Sequence, residues 1–170
     1  MEFDYIMKPE ALYFLGIQLN ADYIDYRYIS EMNDIQKDYL GIRQQCIQDM
    51  EDAGYIDEDF SGNISVEEKL SNTLKPIFFG RLECKIEMGD ETMNIHIHKG
   101  EMTYVEIRDN LYIKQIDTDD LIDMLRGHEF KISCTHVDKG YYEESFSAQD
   151  MEKESGKSNL NKITSGKCYS

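Results

Sequence analysis

The chain has no tryptophan, only two prolines and no pair of cysteines in C-x-x-C spacing. Lack of tryptophan does not prevent a core, because 41% of the 170 residues are hydrophobic, enough for one modest domain. No apolar run approaches the roughly 20 residues needed to span a bilayer, so membrane insertion is not expected. Basic residues are scarce: 18 stand against 34 acidic ones, a net charge of -16, with the acids spread along the chain. Repulsion from phosphate then excludes nucleic acid and anionic membrane surfaces as expected partners. The opening Met1-Glu2-Phe3-Asp4-Tyr5 lacks the basic and apolar regions of a secretory leader, which points to the cytoplasm. Cys46, Cys84, Cys134 and Cys168 are far apart and read as reduced thiols, some of them buried. A structural zinc site would draw its ligands from closer pairs.

Catalytic signatures are missing too. There is no G-x-S-x-G nucleophile turn, no G-x-x-x-x-G-K-[ST] and no G-x-G-x-x-G. Carboxylates are so abundant that their pairing carries no information about acid-base chemistry. The expectation is a protein that is not an enzyme.

What is present is a change of hydrophobic period. Pro9 suits the first turn of a helix, and Ala11, Leu12, Leu15 and Leu19 follow at helical spacing, predicting a helix over 9–20. Residues 23–29 fit a short strand or an irregular helix equally well. Ser30 or Asn33 can cap a second helix carrying Ile35, Tyr39, Ile42, Cys46 and Met50, with Gly54 at its left-handed end and an apolar residue folding back. A third helix, from about Val66 through Leu70 and Leu74, is expected to stop at Pro76.

The period then becomes two. Leu82, Cys84, Ile86 and Met88 alternate with polar residues, as do Met93, Ile95 and Ile97, with turns at Gly89-Asp90 and Lys99-Gly100. Val105 and Ile107 mark a third strand and Leu111 and Ile113 a fourth, giving an antiparallel meander with one buried face. Thr118 can cap a short helix with Leu121, Ile122 and Leu125, and Phe130 to Cys134 is a candidate last strand. The fold class is therefore α+β: N-terminal helices, then an antiparallel meander with a short helix packed on it. One domain is expected over 1–146. Residues 147–170, rich in Ser, Lys, Glu, Asn and Gly, are expected to form a mobile tail.

One stretch matches a metal-binding pattern. Asp57 to Glu68 fits the twelve-residue calcium loop of an EF-hand: Asp57, Asp59, Ser61, Asn63, Ser65 and Glu68 would supply oxygens and Gly62 the sharp turn. Against it, Gly54 breaks the incoming helix, and no second loop of this kind is present in the sequence, so an acidic connecting turn explains the same residues. His96 and His98, two apart in a strand, would project from the polar face, where a solvated pair is the commoner outcome than a metal site. The tyrosines of the first third, Tyr23, Tyr26 and Tyr28 above all, suit a protein interface as well as a core.

The run Met50-Glu51-Asp52-Ala53-Gly54-Tyr55-Ile56-Asp57-Glu58-Asp59, followed by Val66, Leu70, Leu74, Pro76 and a strand, resembles the EspG-like accessory proteins of type VII secretion. Lys8-Pro9-Glu10-Ala11-Leu12 and Thr118 to Leu125 extend the likeness over about residues 5 to 130. The resemblance implies a cytosolic, non-catalytic, chaperone-like protein whose partner is another protein, a helical secretion substrate. Members of that family are longer, with a second half related to the first, so no binding residue carries over. Two other readings stay open: a calcium-binding regulatory domain built on the 57–68 loop, and an acidic immunity or inhibitor protein steered electrostatically to a basic toxin.

Overall fold

Pro9 opens the first helix, as its preset φ and missing N–H allow at that position. In a computed structural model of the chain, which describes residues 1–30, 32 and 39–169, this helix is α1 (Pro9–Gln18). It buries Ala11, Leu12, Phe14 and Leu15 and ends at Gln18, with Asn20 in left-handed backbone. Before it lies β1 (Tyr5–Met7). The ambiguous 23–29 stretch holds a one-turn helix, α2 (Tyr26–Ile29), capped by the Asp25 carboxylate accepting from the Arg27 amide at 2.9 Å. Ser30 is the C-terminal cap of α2.

The second predicted helix is α3 (Tyr39–Asp52), with Cys46, Ile47 and Met50 buried. Asn33 and Ile35 lie outside the described residues, as do the side chains of Tyr39 and Ile42. Gly54, at φ +77, ends α3 as expected. Its amide donates to the Glu51 carbonyl at 3.0 Å, and the Tyr55 amide reaches back to the Met50 carbonyl at 2.8 Å. These two bonds satisfy carbonyls the helix would otherwise leave unpaired, and they fold Tyr55 back over the last turn.

A hairpin, β2 (Ile56–Glu58) with β3 (Ile64–Val66), leads into α4 (Glu68–Phe79). Helix α4 runs through Pro76 instead of stopping there. The interior proline costs about 3 kcal/mol. Leu70, Leu74, Ile77 and Phe78 are all fully buried, and at roughly 1.5–3 kcal/mol for each such side chain their burial outweighs that cost. Gly16 has a packing role: a Cβ there would lie 2.6 Å from Ile24 Cδ1 and 3.3 Å from Phe78 Cε1.

The second half is sheet. Strands β4 (Leu82–Met88), β5 (Glu91–His98), β6 (Glu101–Ile107) and β7 (Leu111–Ile116) run as the predicted antiparallel meander. Helix α5 (Thr118–Leu125) follows, capped by Asp117 and not Thr118: the Asp117 carboxylate accepts from the Asp120 amide while the Asp120 carboxylate accepts from the Asp117 amide. The chain returns as β8 (Phe130–His136) on the far side of β4, and β9 (Gly140–Phe146) pairs outside β8. On one face Leu82, Cys84, Ile86, Met93, Ile95, Ile97, Ile132 and Cys134 are buried. On the other, Asn94, His96, Thr103 and Val105 are buried as well, so the β5–β6 region has no solvated face.

Three sequence expectations fail here. Residues 150–169 are folded: a 3-10 turn (Asp150–Glu152), α6 (Glu154–Thr164) and a second 3-10 turn (Lys167–Tyr169), with Met151, Leu160 and Ile163 buried. Tyr169 donates its hydroxyl to the Cys134 carbonyl at 2.9 Å and packs its ring beside His136 and Tyr142, so this segment covers the β4–β8–β9 face. Cys84 and Cys134, 50 residues apart and directly opposite across β4 and β8, form a disulfide, whereas Cys46 and Cys168 are free thiols. The described residues also divide into two compact units where one domain was expected: Met1–Phe79 with Ile107–Tyr112, and Gly80–Glu106 with Ile113–Ser170.

Leu160→Ala should lower unfolding free energy in urea by about 2–5 kcal/mol, the cost of truncating a buried leucine; a mobile tail would give no change. Thiol titration of the denatured protein purified without reductant should find two thiols per chain, rising to four after reduction.

Candidate functional site

The six oxygen donors of the calcium-like loop sit in the β2–β3 hairpin and at the start of α4. Asp59 organises the turn. Its Oδ1 accepts from the Ser61 amide at 2.8 Å and the Asn63 amide at 2.9 Å, and Oδ2 accepts from the Asn63 side-chain amide at 3.2 Å. The main chain closes the same turn, with the Gly62 amide on the Asp59 carbonyl and the Asp59 amide on the Asn63 carbonyl. Those hydrogen bonds, the Asn63 amide foremost, hold the exposed Asp59 carboxyl below the ordinary aspartate range. Gly62 is left-handed at φ +82, as the turn requires.

The structure thus brings Asp59, Ser61 and Asn63 together. It sets Asp57 opposite Ser65, whose hydroxyl lies 3.4 Å from the Asp57 carbonyl, and it places Glu68 at the first position of α4. Helix α3 ends at Asp52, short of the loop, and strands flank the turn. Asp57, Asp59 and Glu68 do not bring their carboxylates within 4.8 Å of one another. His96 and His98 share a sheet face as expected, yet His96 is completely buried and only His98 is partly exposed.

A concave site lies elsewhere in the first unit. A pocket of ≈ 210 Å³ opens between β1, the start of α1 and the end of α3. Its floor is apolar: Met7 and Ala11 from one side, Cys46 and Met50 from the other. Lys8, Asp49 and Asn110 supply polar groups, and Ile6, half exposed, and Ala53 stand at the rim. Helical spacing puts Cys46, Asp49 and Met50 on one stripe of α3, and Ala53 follows immediately past its end. The Gly54 turn folds Tyr55 back into the lining, where its ring meets Tyr5 edge-on at 5.3 Å. Tyr5 is anchored in turn by donating to the Glu67 carboxylate at 3.0 Å; burial and that acceptor together push its pKa up.

Chemically the pocket suits binding. Cys46 is its nucleophilic atom, but burial, and then the charges of Glu10 and Asp49, raise its pKa, so the thiol stays protonated when the thiolate is the reactive form. Sequence reasoning placed Cys46 and Met50 on a helix face and Gly54-Tyr55 at its end. It missed Ile6, Met7, Lys8 and Asn110, because periodicity says which side chains share a face and not which faces meet.

Asp59→Ala should accelerate amide exchange at Ser61 and Asn63 with no calcium present, a consequence of the turn role. Because the folded Asp59 carboxyl titrates below its unfolded value, its stabilisation is complete above the ordinary aspartate range and vanishes as pH falls through the lowered value. An NMR titration of the carboxyl carbon reads this directly.

No protein-family model matches the chain, and neither the curated proteins nor the solved structures compared with it give a match, so function rests on the geometry just described.

Proposed function

We propose that the protein is a non-catalytic, chaperone-like binding protein whose first unit takes an apolar side chain from a helix of another protein. The observation that carries this reading is the half-open apolar pocket between β1, α1 and α3, with Ile6 exposed at its rim. A cavity of this kind gains most from one anchoring aliphatic or aromatic side chain, while Lys8, Asp49 and Asn110 at the margin orient the backbone that carries it. Helical partners are favoured by the resemblance of residues 5 to 130 to type VII secretion accessory proteins. In that setting the protein acts in the cytoplasm, where thiols are kept reduced. The oxidation state of Cys84 and Cys134 in protein taken from its own cell therefore reports on the compartment.

The test is binding to the helical-hairpin proteins encoded by neighbouring genes, followed by fluorescence anisotropy. Ala53→Arg, at an exposed rim position, should weaken binding about tenfold or more while leaving the thermal midpoint unchanged. Equal affinity in wild type and variant, or no partner among those proteins, would count against this role.

A further inference from the structure

The outer edge of the second unit is built to accept another strand. Antiparallel neighbours alternate between closely spaced pairs, about 4.5 Å between Cα atoms, whose main-chain groups point away from each other, and hydrogen-bonded pairs about 5.5 Å apart. Cys84 and Cys134 are 4.2 Å apart, a close pair, so the amide and carbonyl of Cys134 point away from β4 and toward β9. An independent bond agrees: Val137, three residues on and of opposite parity, donates its amide to the Arg81 carbonyl on the β4 side. Since Cys134 stands opposite Tyr142, the main-chain groups of Tyr142, Glu144 and Phe146 face β8. Those of Tyr141, Glu143 and Ser145 face outward.

Strand β9 ends the sheet order, and among the described residues no main-chain hydrogen bond reaches Tyr141, Glu143 or Ser145 from outside. The three residues are exposed. Natural edges are commonly blunted by charged side chains, proline or a bulge; β9 has no proline, its register against β8 is unbroken over seven residues, and its only charges, Glu143 and Glu144, are of one sign, which repels acidic strands and not basic ones.

Charge selects what can dock. Tyr141 donates to the Glu143 carboxylate at 2.5 Å and Tyr142 to that of Glu144 at 3.0 Å, so each face of the edge carries a tyrosine-supported acid, the Glu143 carboxylate also lying 4.0 Å from the Lys131 ammonium of β8. A second copy of this chain is disfavoured. Symmetric β9–β9 pairing about its middle would set Glu143 directly opposite Glu143 between two chains of charge -16, a destabilising arrangement. A cationic strand turns that repulsion at Glu143 into attraction. We propose that β9 binds an extended, lysine- or arginine-bearing segment of another protein by antiparallel strand addition, through the outward amides and carbonyls of Tyr141, Glu143 and Ser145. This surface is distinct from the apolar pocket of the first unit.

The experiment uses the full chain with three synthetic octapeptides: alternating Lys and Val, alternating Glu and Val, and a Lys-rich peptide interrupted by prolines. The Lys-Val peptide should bind at low salt and protect the amides of Tyr141, Glu143 and Ser145 from exchange, leaving Tyr142 and Glu144 unchanged. Affinity should fall at least tenfold between 20 and 300 mM salt, as screened charges require. Ser145→Pro removes an outward amide only, which an edge strand tolerates; it should abolish binding while preserving the amide spectrum of the other strands. Equal binding of the proline-interrupted peptide, undiminished binding to Ser145→Pro, or concentration-dependent dimerisation through the same amides would each overturn the proposal.

Discussion

The pairing of β4 with β8 is the contact on which the second unit depends. Without it the meander and the C-terminal hairpin are separate pieces of sheet. The register is pinned twice: Leu82, Cys84 and Ile86 stand opposite His136, Cys134 and Ile132, and the central pair is covalently joined. Bringing together residues 50 apart costs loop entropy that the hairpins of the meander do not incur. In the chain-entropy view the crosslink removes about 4 kcal/mol of that freedom from the unfolded state. The same register fixes which main-chain groups of β9 point outward, so the character of the sheet edge is decided two strands away.

What could be read from the sequence was what is local. Gly54 and Tyr55 announce the end of α3 because the motif's requirements fall within six residues, and β4 to β7 announce themselves through strict alternation. Composition misled where few residues carry the packing. In the last 24 residues Met151, Leu160 and Ile163 are enough to dock α6, although Ser, Lys and Asn dominate the average. Strand β9 was missed because Tyr-Tyr-Glu-Glu-Ser lacks alternation of apolar and polar residues and so carries no period-two signal. Pro76 looked like a stop because helix propensity was weighed without the buried neighbours that outweigh it.

The 57–68 loop shows how one pattern serves two geometries. Oxygen-bearing residues at alternate positions with a central glycine can converge on a cation, but the same spacing lets one aspartate collect the amides of a tight turn. Here Asp59 does the second, and strands where a calcium loop has helices direct Asp57 and Ser65 across a hairpin. The pocket of the first unit left no comparable trace, since its wall comes from β1, α1, α3 and Asn110, four places in the chain.

That last contribution bears on the order of assembly during synthesis. Arg108 lies over the rings of Phe3 and Tyr112, Phe3 meets Tyr112 edge-on at 5.3 Å, and Asn110 closes part of the pocket. Arg108 and Asn110 come from the β6–β7 connection and Tyr112 from the start of β7, so the first unit is not a continuous stretch of chain. As a polypeptide leaves the ribosome at roughly 5–20 residues per second, the N-terminal unit lacks Arg108, Asn110 and Tyr112 until the strands that interrupt it have emerged.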